Sequence, residues 1–251
     1  MRQFLNISDS SFKIPESLAL PEDEVQLWRI DLEALRHDES RWNRLLSSDE
    51  LKRASRFHFP RDRQHFAASR ALLRTILAVY LKTDPGSLTF SYSKKDKPSL
   101  GMPHASAGIA FNISHSGAIA LFAFARNRDI GVDVEHLRLD FDAEAIARRF
   151  FSAHEQIELA AVDKEHRVEA FFRCWTRKEA YIKATGDGLS LPLTQFDVSL
   201  ASGDTNALIA TRPDNSEAAH WLLQEVPAGP QYIAALCVRG RDWKLSSWPE
   251  E

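Results

Sequence analysis

The stretch FSAHEQIEL (residues 151–159) and its earlier echo LSSDELKRA (residues 46–54) decide how the fold is read. Each sets a serine three residues before a glutamate, Ser152 before Glu155 and Ser47 before Glu50, at the start of a helical pattern. That is the capping box, in which hydroxyl and carboxylate each satisfy a backbone N–H left over at a helix start. Phe66 follows sixteen residues after Glu50, and Phe171 sixteen after Glu155. Each pattern continues as a long amphipathic helix and then passes into β-rich sequence. The expectation is an α+β fold of two similar halves, residues 1–127 and 128–251, each a small β-sheet packed on a long helix. Two such halves would pack face to face, and a seam of that kind is where small-molecule sites tend to lie.

Working outward, EVQLWRIDL (24–32) reads as a strand, and helical patterns follow over 48–57 and 61–82, the second just after Pro60. GIAFNI and AIALFAFA read as strands on either side of a turn, Ser114-His115-Ser116-Gly117. DIGVDVE (129–135) is a further strand, and helices are expected over 142–150, 152–161 and 164–184. QFDVSL, NALIAT, HWLLQEV, QYIAALCV and WKLSSW read as strands separated by Gly, Pro, Asp and Asn turns.

Bulk properties exclude several classes. A chain of 251 residues with 44% hydrophobic and 27% charged residues can bury a sizeable core, so an intrinsically disordered chain is not expected. A net charge of −3 gives no global attraction to nucleic acid or to a membrane. Residues 41–97, however, are locally basic, from Arg41 and Arg44 through Arg53, Arg61, Arg70 and Arg74 to Lys94, Lys95 and Lys97. That invites an anionic partner or marks a solvated basic face. Cys174 and Cys237 lack metal-type spacing and suggest a reducing compartment. There is no signal-peptide pattern and no run near the roughly 20 apolar residues of a membrane span, so a cytoplasmic location is expected.

The helix ending CWTRKEAYIKATG (174–186) holds an anomaly. At about 100° per residue, Val168, Phe171, Phe172, Trp175 and Ile182 share one stripe, and Glu179 falls inside it. A carboxylate taken out of water needs a partner, a proton or a metal. An i,i+4 pair with Lys183 is the plain reading, yet it contributes only about 0.2–0.5 kcal/mol. In GVDVEH (131–136), Asp133 and Glu135 share one face of a strand, about 7 Å apart by strand rise. Three carboxylates form an oxygen-only set that suits Mg²⁺ or Mn²⁺ rather than zinc. A turn carrying Ser114 and His115 offers N–H groups, hydroxyls and an imidazole to phosphate, as does a cationic loop of Lys94, Lys95 and Lys97. No Walker A or G-x-G-x-x-G pattern occurs. Gly186 and Gly188 read as a helix cap and a turn, and Glu155 as a capping residue first and a site auxiliary second.

FNISHSG (111–117), GVDVEHLR (131–138), FSAHEQIEL (151–159) and WTRKEAYIKATGDGLSL (175–191), in this order and spacing, resemble the 4′-phosphopantetheinyl transferases of the surfactin-synthetase-activating (Sfp-like) type. The family's WT-x-KEA-x-x-K-x-x-G-x-GL pattern is complete. Asp96-Lys97-Pro98 is similar to the family's GKP, with Asp96 in place of glycine. The resemblance covers about residues 45–200. It implies a pseudo-twofold monomer that binds coenzyme A between its halves. The implied reaction moves the phosphopantetheine arm to a serine hydroxyl of an apo acyl or peptidyl carrier protein and releases 3′,5′-ADP. It implies that Asp133, Glu135 and Glu179 hold Mg²⁺, or Mn²⁺, on the coenzyme A diphosphate. Ser114 and His115 would touch a coenzyme A phosphate, and Arg53 and Lys97 would hold phosphates in the basic half. Lys183 would stabilise or protonate the leaving phosphate. Glu179 is the candidate to accept the serine proton, directly or through water, with base, metal ligand or both as its open roles. Another Mg²⁺-dependent nucleotide transferase, or a non-catalytic relative that binds coenzyme A or a carrier, are the competing readings.

Overall fold

A computed structural model describes residues 4–6, 13–140 and 142–248. The chain opens with β1 (Phe4–Asn6), β2 (Lys13–Pro15) and β3 (Glu24–Asp31), then α1 (Glu39–Leu45), α2 (Ser48–Ala54) and the long α3 (Pro60–Leu81). A small hairpin, β4 (Phe90–Tyr92) and β5 (Pro98–Leu100), precedes β6 (Ile109–Ser116), β7 (Ile119–Arg126) and β8 (Ile130–His136). Three helices follow, α4 (Ala143–Phe150), α5 (Ala153–Ala161) and α6 (Arg167–Thr185). The chain then runs through β9 (Phe196–Val198), β10 (Leu208–Thr211), β11 (Trp221–Glu225), β12 (Tyr232–Arg239) and β13 (Lys244–Trp248).

Two sheets organise these elements, one in the order β13-β3-β7-β6 and the other β11-β12-β8. The long central strands β7 and β12 are apolar on both faces, as strands covered on both sides must be. In β7, Ala120, Phe122 and Phe124 point into a core with α3, while Leu121, Ala123 and Ala125 point into a second core between the sheets. In β12, Ile233, Ala235 and Cys237 face the α6 core, and Ala234, Leu236 and Val238 face that same intersheet core. The result is four layers, helix, sheet, sheet and helix, with the seam in the middle. β13 crosses back from the second half and pairs parallel with β3. Among the described residues no helix is long and apolar enough to cross a membrane.

Both capping boxes form. Ser47 N donates to Glu50 Oε2 at 2.8 Å, and Ser152 N donates to Glu155 Oε2 at 2.8 Å. Each glutamate is also buried against a cation from its long helix: Arg74 Nε lies 2.7 Å from Glu50 Oε2, and Lys178 Nζ lies 2.8 Å from Glu155 Oε1. The echo in the sequence therefore marks a shared anchor, a helix start bolted to the next long helix. Glu155 further accepts from Val198 N at 2.8 Å, so its oxygens are spent on structure rather than on a site.

Candidate active site

β8 and α6 build the acidic centre. Ile130, Val132 and Val134 go into the seam core, which turns Asp133 and Glu135 toward α6. Gly131 sets how close the helix comes: a Cβ there would lie 2.2 Å from Ala180 O and 2.4 Å from Ala184 N. Only glycine lets the strand and helix backbones meet at this distance.

α6 is not the one-sided helix expected. It packs on β8 and β12 and also on α4, α5 and β9. Consequently Arg173, Cys174, Thr176, Arg177 and Lys178 are buried along with Phe171 and Phe172. Trp175, Glu179 and Lys183, one turn apart, are only half-buried. Glu179 thus lies on the helix's open line and not inside a buried stripe. The helix ends at Gly186, in the left-handed conformation with φ 78°, as its capping role requires.

Lys183 does not pair with Glu179. Its Nζ lies 2.6 Å from Asp133 Oδ1, and it also donates to Ser114 Oγ at 3.1 Å. Ser114 Oγ donates to Asp133 Oδ1 at 2.8 Å, and Ser116 Oγ donates to Glu135 Oε2 at 2.9 Å. Asp133 Oδ2 is buried without a hydrogen-bond partner. Burial, then the neighbouring Asp133, pushes the Glu179 carboxyl above the usual carboxylate range, against the pull of Lys183. Burial and Asp133 likewise raise Glu135, opposed by the Ser116 hydrogen bond, Arg138 and Lys183. Negative charge is crowded here beyond what Lys183 and Arg138 offset.

These residues suit a hard divalent cation in donor type: three carboxylates, one with a buried oxygen still without a partner. Among the described residues no group of three or more acidic, histidine or cysteine side chains is preassembled closely enough to hold a metal ion. Mg²⁺ does not ask for a preassembled group, because it keeps waters and completes its shell with phosphate oxygens.

The SHSG segment is not a turn. Strand β6 continues through Ser116, and the chain reverses at Gly117, with φ 57°. Ser114 and His115 sit in the ladder with β7, opposite Leu121 and Ala120, and so offer side chains rather than a nest of N–H groups. His115 opens onto a recess of about 350 Å³ shared with Phe57, Arg61, His65 and Phe66. The protein around its imidazole, then Lys183 and His65, hold its pKa below the usual value. Lys97 lies in a neighbouring recess of about 220 Å³ with Lys183 and Asn112. Its Nζ donates to Ala184 O at 3.1 Å and Ile130 O at 3.2 Å, and burial lowers its pKa. Asp96 adopts φ 59°, a conformation glycine takes without strain and Asp tolerates, which accounts for the exchange in the DKP segment. Arg53 stays exposed on α2 with its guanidinium 5.6 Å over the Phe66 ring, on the His115 side and apart from Lys97.

The basic run is less free than its composition implied. Arg70 and Arg74 are buried on Glu50, and Arg61 and Arg63 pair with Glu33 and Glu39. Sequence reasoning also missed Gly131, Asn112 and His65, and read Ser116 only as a turn hydroxyl for phosphate, whereas it bonds Glu135 and His136 N. A larger recess, about 1230 Å³ between β3, β13 and residues 227–230, contains none of these groups.

Known proteins resemble this chain along most of its length. Residues 129–237 match the family model of the 4′-phosphopantetheinyl transferase superfamily, and residues 33–127 match that of the 4′-phosphopantetheinyl transferase N-terminal region. The chain is 41% identical over 234 residues to the 4′-phosphopantetheinyl transferase HetI of Nostoc sp., covering 93% of this chain and 95% of that one. It is 34% identical to a putative 4′-phosphopantetheinyl transferase of Synechocystis sp., over 73% of this chain and 72% of the relative. To the 4′-phosphopantetheinyl transferase Sfp of Bacillus subtilis it is 31% identical, over 82% and 88%. The chain belongs to the 4′-phosphopantetheinyl transferase superfamily. Within it, similarity across both halves makes it an enzyme of the Sfp type.

Proposed function

We propose that the enzyme takes the 4′-phosphopantetheine group from coenzyme A, places it on a serine hydroxyl of an apo acyl or peptidyl carrier protein, and releases 3′,5′-ADP. The observation that carries this is the cluster of Asp133, Glu135, Glu179 and Lys183 on β8 and α6, beside the recess that holds Lys97. Phosphoryl transfer needs positioning and charge neutralisation more than a covalent catalyst. Asp133, Glu135 and Glu179 would hold Mg²⁺, or Mn²⁺ in its place, whose contribution is Lewis-acid neutralisation of the diphosphate.

The remaining work falls to the chain itself. Ser114 and His115 contact a phosphate from the β6 side. Lys97 holds a second phosphate in its recess, and Arg53 adds positive charge at the mouth of the His115 recess. Lys183, 2.6 Å from Asp133, brings positive charge and a proton to the leaving phosphate. Glu179, on the open line of α6, accepts the serine proton. The exposed Lys52, Arg53 and Arg56 favour approach of an acidic carrier. We place the enzyme in the cytoplasm as a monomer: one chain already supplies both halves of the seam, and Cys174 and Cys237 are free and buried.

Mass spectrometry of an apo carrier incubated with the enzyme, coenzyme A and Mg²⁺ tests the reading. A gain of about 340 Da on one serine is expected. No gain across fatty-acid, polyketide and peptide carriers would leave the non-catalytic reading standing, and transfer of a nucleotide instead would establish the other.

A further inference from the structure

We propose that Ser116 is a positioning residue for the transfer reaction, its hydroxyl fixing the Glu135 carboxylate for the divalent cation. This rests on the metal reading above. β6 and β8 are edge strands of different sheets that run side by side. An edge strand inside a protein cannot leave its N–H groups without partners. Here β6 supplies side chains in place of carbonyls. Asn112 Oδ1 accepts from Val132 N at 2.9 Å, Ser114 Oγ from Val134 N at 3.4 Å, and Ser116 Oγ from His136 N at 3.1 Å. Every second residue of one strand thus meets every second N–H of the other.

The serines then act a second time, because a hydroxyl that accepts can still donate its proton. Ser114 donates to Asp133, and Ser116 donates to Glu135 Oε2 at 2.9 Å. With a backbone N–H on one side and a carboxylate on the other, the Ser116 hydroxyl has one orientation. It holds Oε2 and leaves the second Glu135 oxygen for the cation. Ser114 also receives Lys183, so changing it disturbs two functions at once. Hydrogen-bond partners of metal-binding carboxylates typically govern metal affinity by about 10–100-fold.

Three variants separate this role from plain packing. Ser116→Thr keeps the hydroxyl, Ser116→Val has the same shape without it, and Ser116→Ala removes it with less bulk. Mn²⁺ is titrated in the presence of coenzyme A and the free ion is followed by electron paramagnetic resonance. Val and Ala should weaken Mn²⁺ binding by about 10-fold while Thr stays near wild type. The His136 amide should exchange faster in Val and Ala only. In turnover, the Mg²⁺ concentration for half-maximal rate should rise more than kcat falls. Val binding Mn²⁺ as tightly as Thr would overturn the positioning role alone. Wild type taking up no Mn²⁺ would overturn the metal reading, and this role with it.

Discussion

β3 and β8 hold matching places in the two halves and spend them differently. Each lies antiparallel to a long apolar strand, β7 or β12. Each sends one face into the seam, Val25 and Leu27 from β3, Ile130 and Val132 from β8. The other faces diverge. Trp28 and Ile30 are buried in the α3 core, and Trp28 stacks on Trp248 with centroids 4.9 Å apart. The matching positions of β8 carry Asp133 and Glu135, facing Glu179 and Lys183. One half uses its strand–helix interface for core, and the other gives up that burial for charge. The same architecture thus holds a half with a largely apolar strand–helix interface next to a half whose interface carries crowded negative charge.

The sharpest test exchanges the two roles. Asp133→Ala should lower turnover by at least about 10³-fold, about 4 kcal/mol of transition-state stabilisation, with the fold intact by circular dichroism. Full activity in that variant would reject Asp133 as part of the site. Trp28→Ala should do the converse. It removes a buried indole that stacks on Trp248 and donates to Tyr80 Oη at 3.3 Å. Denaturant titration should show a loss of about 3–5 kcal/mol, while kcat of the folded fraction stays near wild type. A Trp28→Ala enzyme that is stable but inactive would break the division of labour.

How much of this was legible follows the range of the interactions. The capping boxes of Glu50 and Glu155 were, because they are closed by residues three apart. Asp133 and Glu135 could be placed on one face by strand alternation alone. Glu179 was visible as an anomaly but misplaced, since how deeply α6 is buried depends on α4, α5 and β9 packing behind it. Ser114-His115-Ser116-Gly117 has the composition of a turn. Its real use, an alternating polar edge from Asn112 to Ser116, depends on free N–H groups of a strand in the other half. Arg70 and Arg74 counted as surface charge because nothing local reveals that Glu50 receives both.

Gly131 sharpens the comparison at intermediate size. Its counterpart environment on β3 needs no such approach, whereas a Cβ at 131 meets helix backbone, which cannot move like a side chain end. Gly131→Ala should cost about 1–3 kcal/mol of stability as α6 shifts off β8. The shift would also separate Glu179 and Lys183 from Asp133. Turnover of the folded enzyme should therefore fall too, unlike in Trp28→Ala. Equal stability and rate in Gly131→Ala would show that the strand–helix distance is not what Gly131 sets.

The smallest effect concerns acid. His65 on α3 is buried beside the His115 recess, and its Nε2 faces Glu33 Oε1 at 3.4 Å without hydrogen-bond alignment. Burial lowers its pKa below the usual 6.5, with Arg61 acting the same way and Glu33 and Asp62 opposing. A histidine kept neutral by the fold takes up its proton more readily when unfolded. Its contribution is therefore fully present above about pH 6.5 and is lost as pH falls through the lower folded value. Chemical denaturation at successive pH values should show this decline in wild type and a shallower one in His65→Gln. The second half buries Ala170 at the comparable turn of α6, so the acid-sensitive step belongs to the first half. A pH slope that His65→Gln leaves unchanged would assign it elsewhere, with His115, lowered by burial, Lys183 and His65, as the next group to substitute.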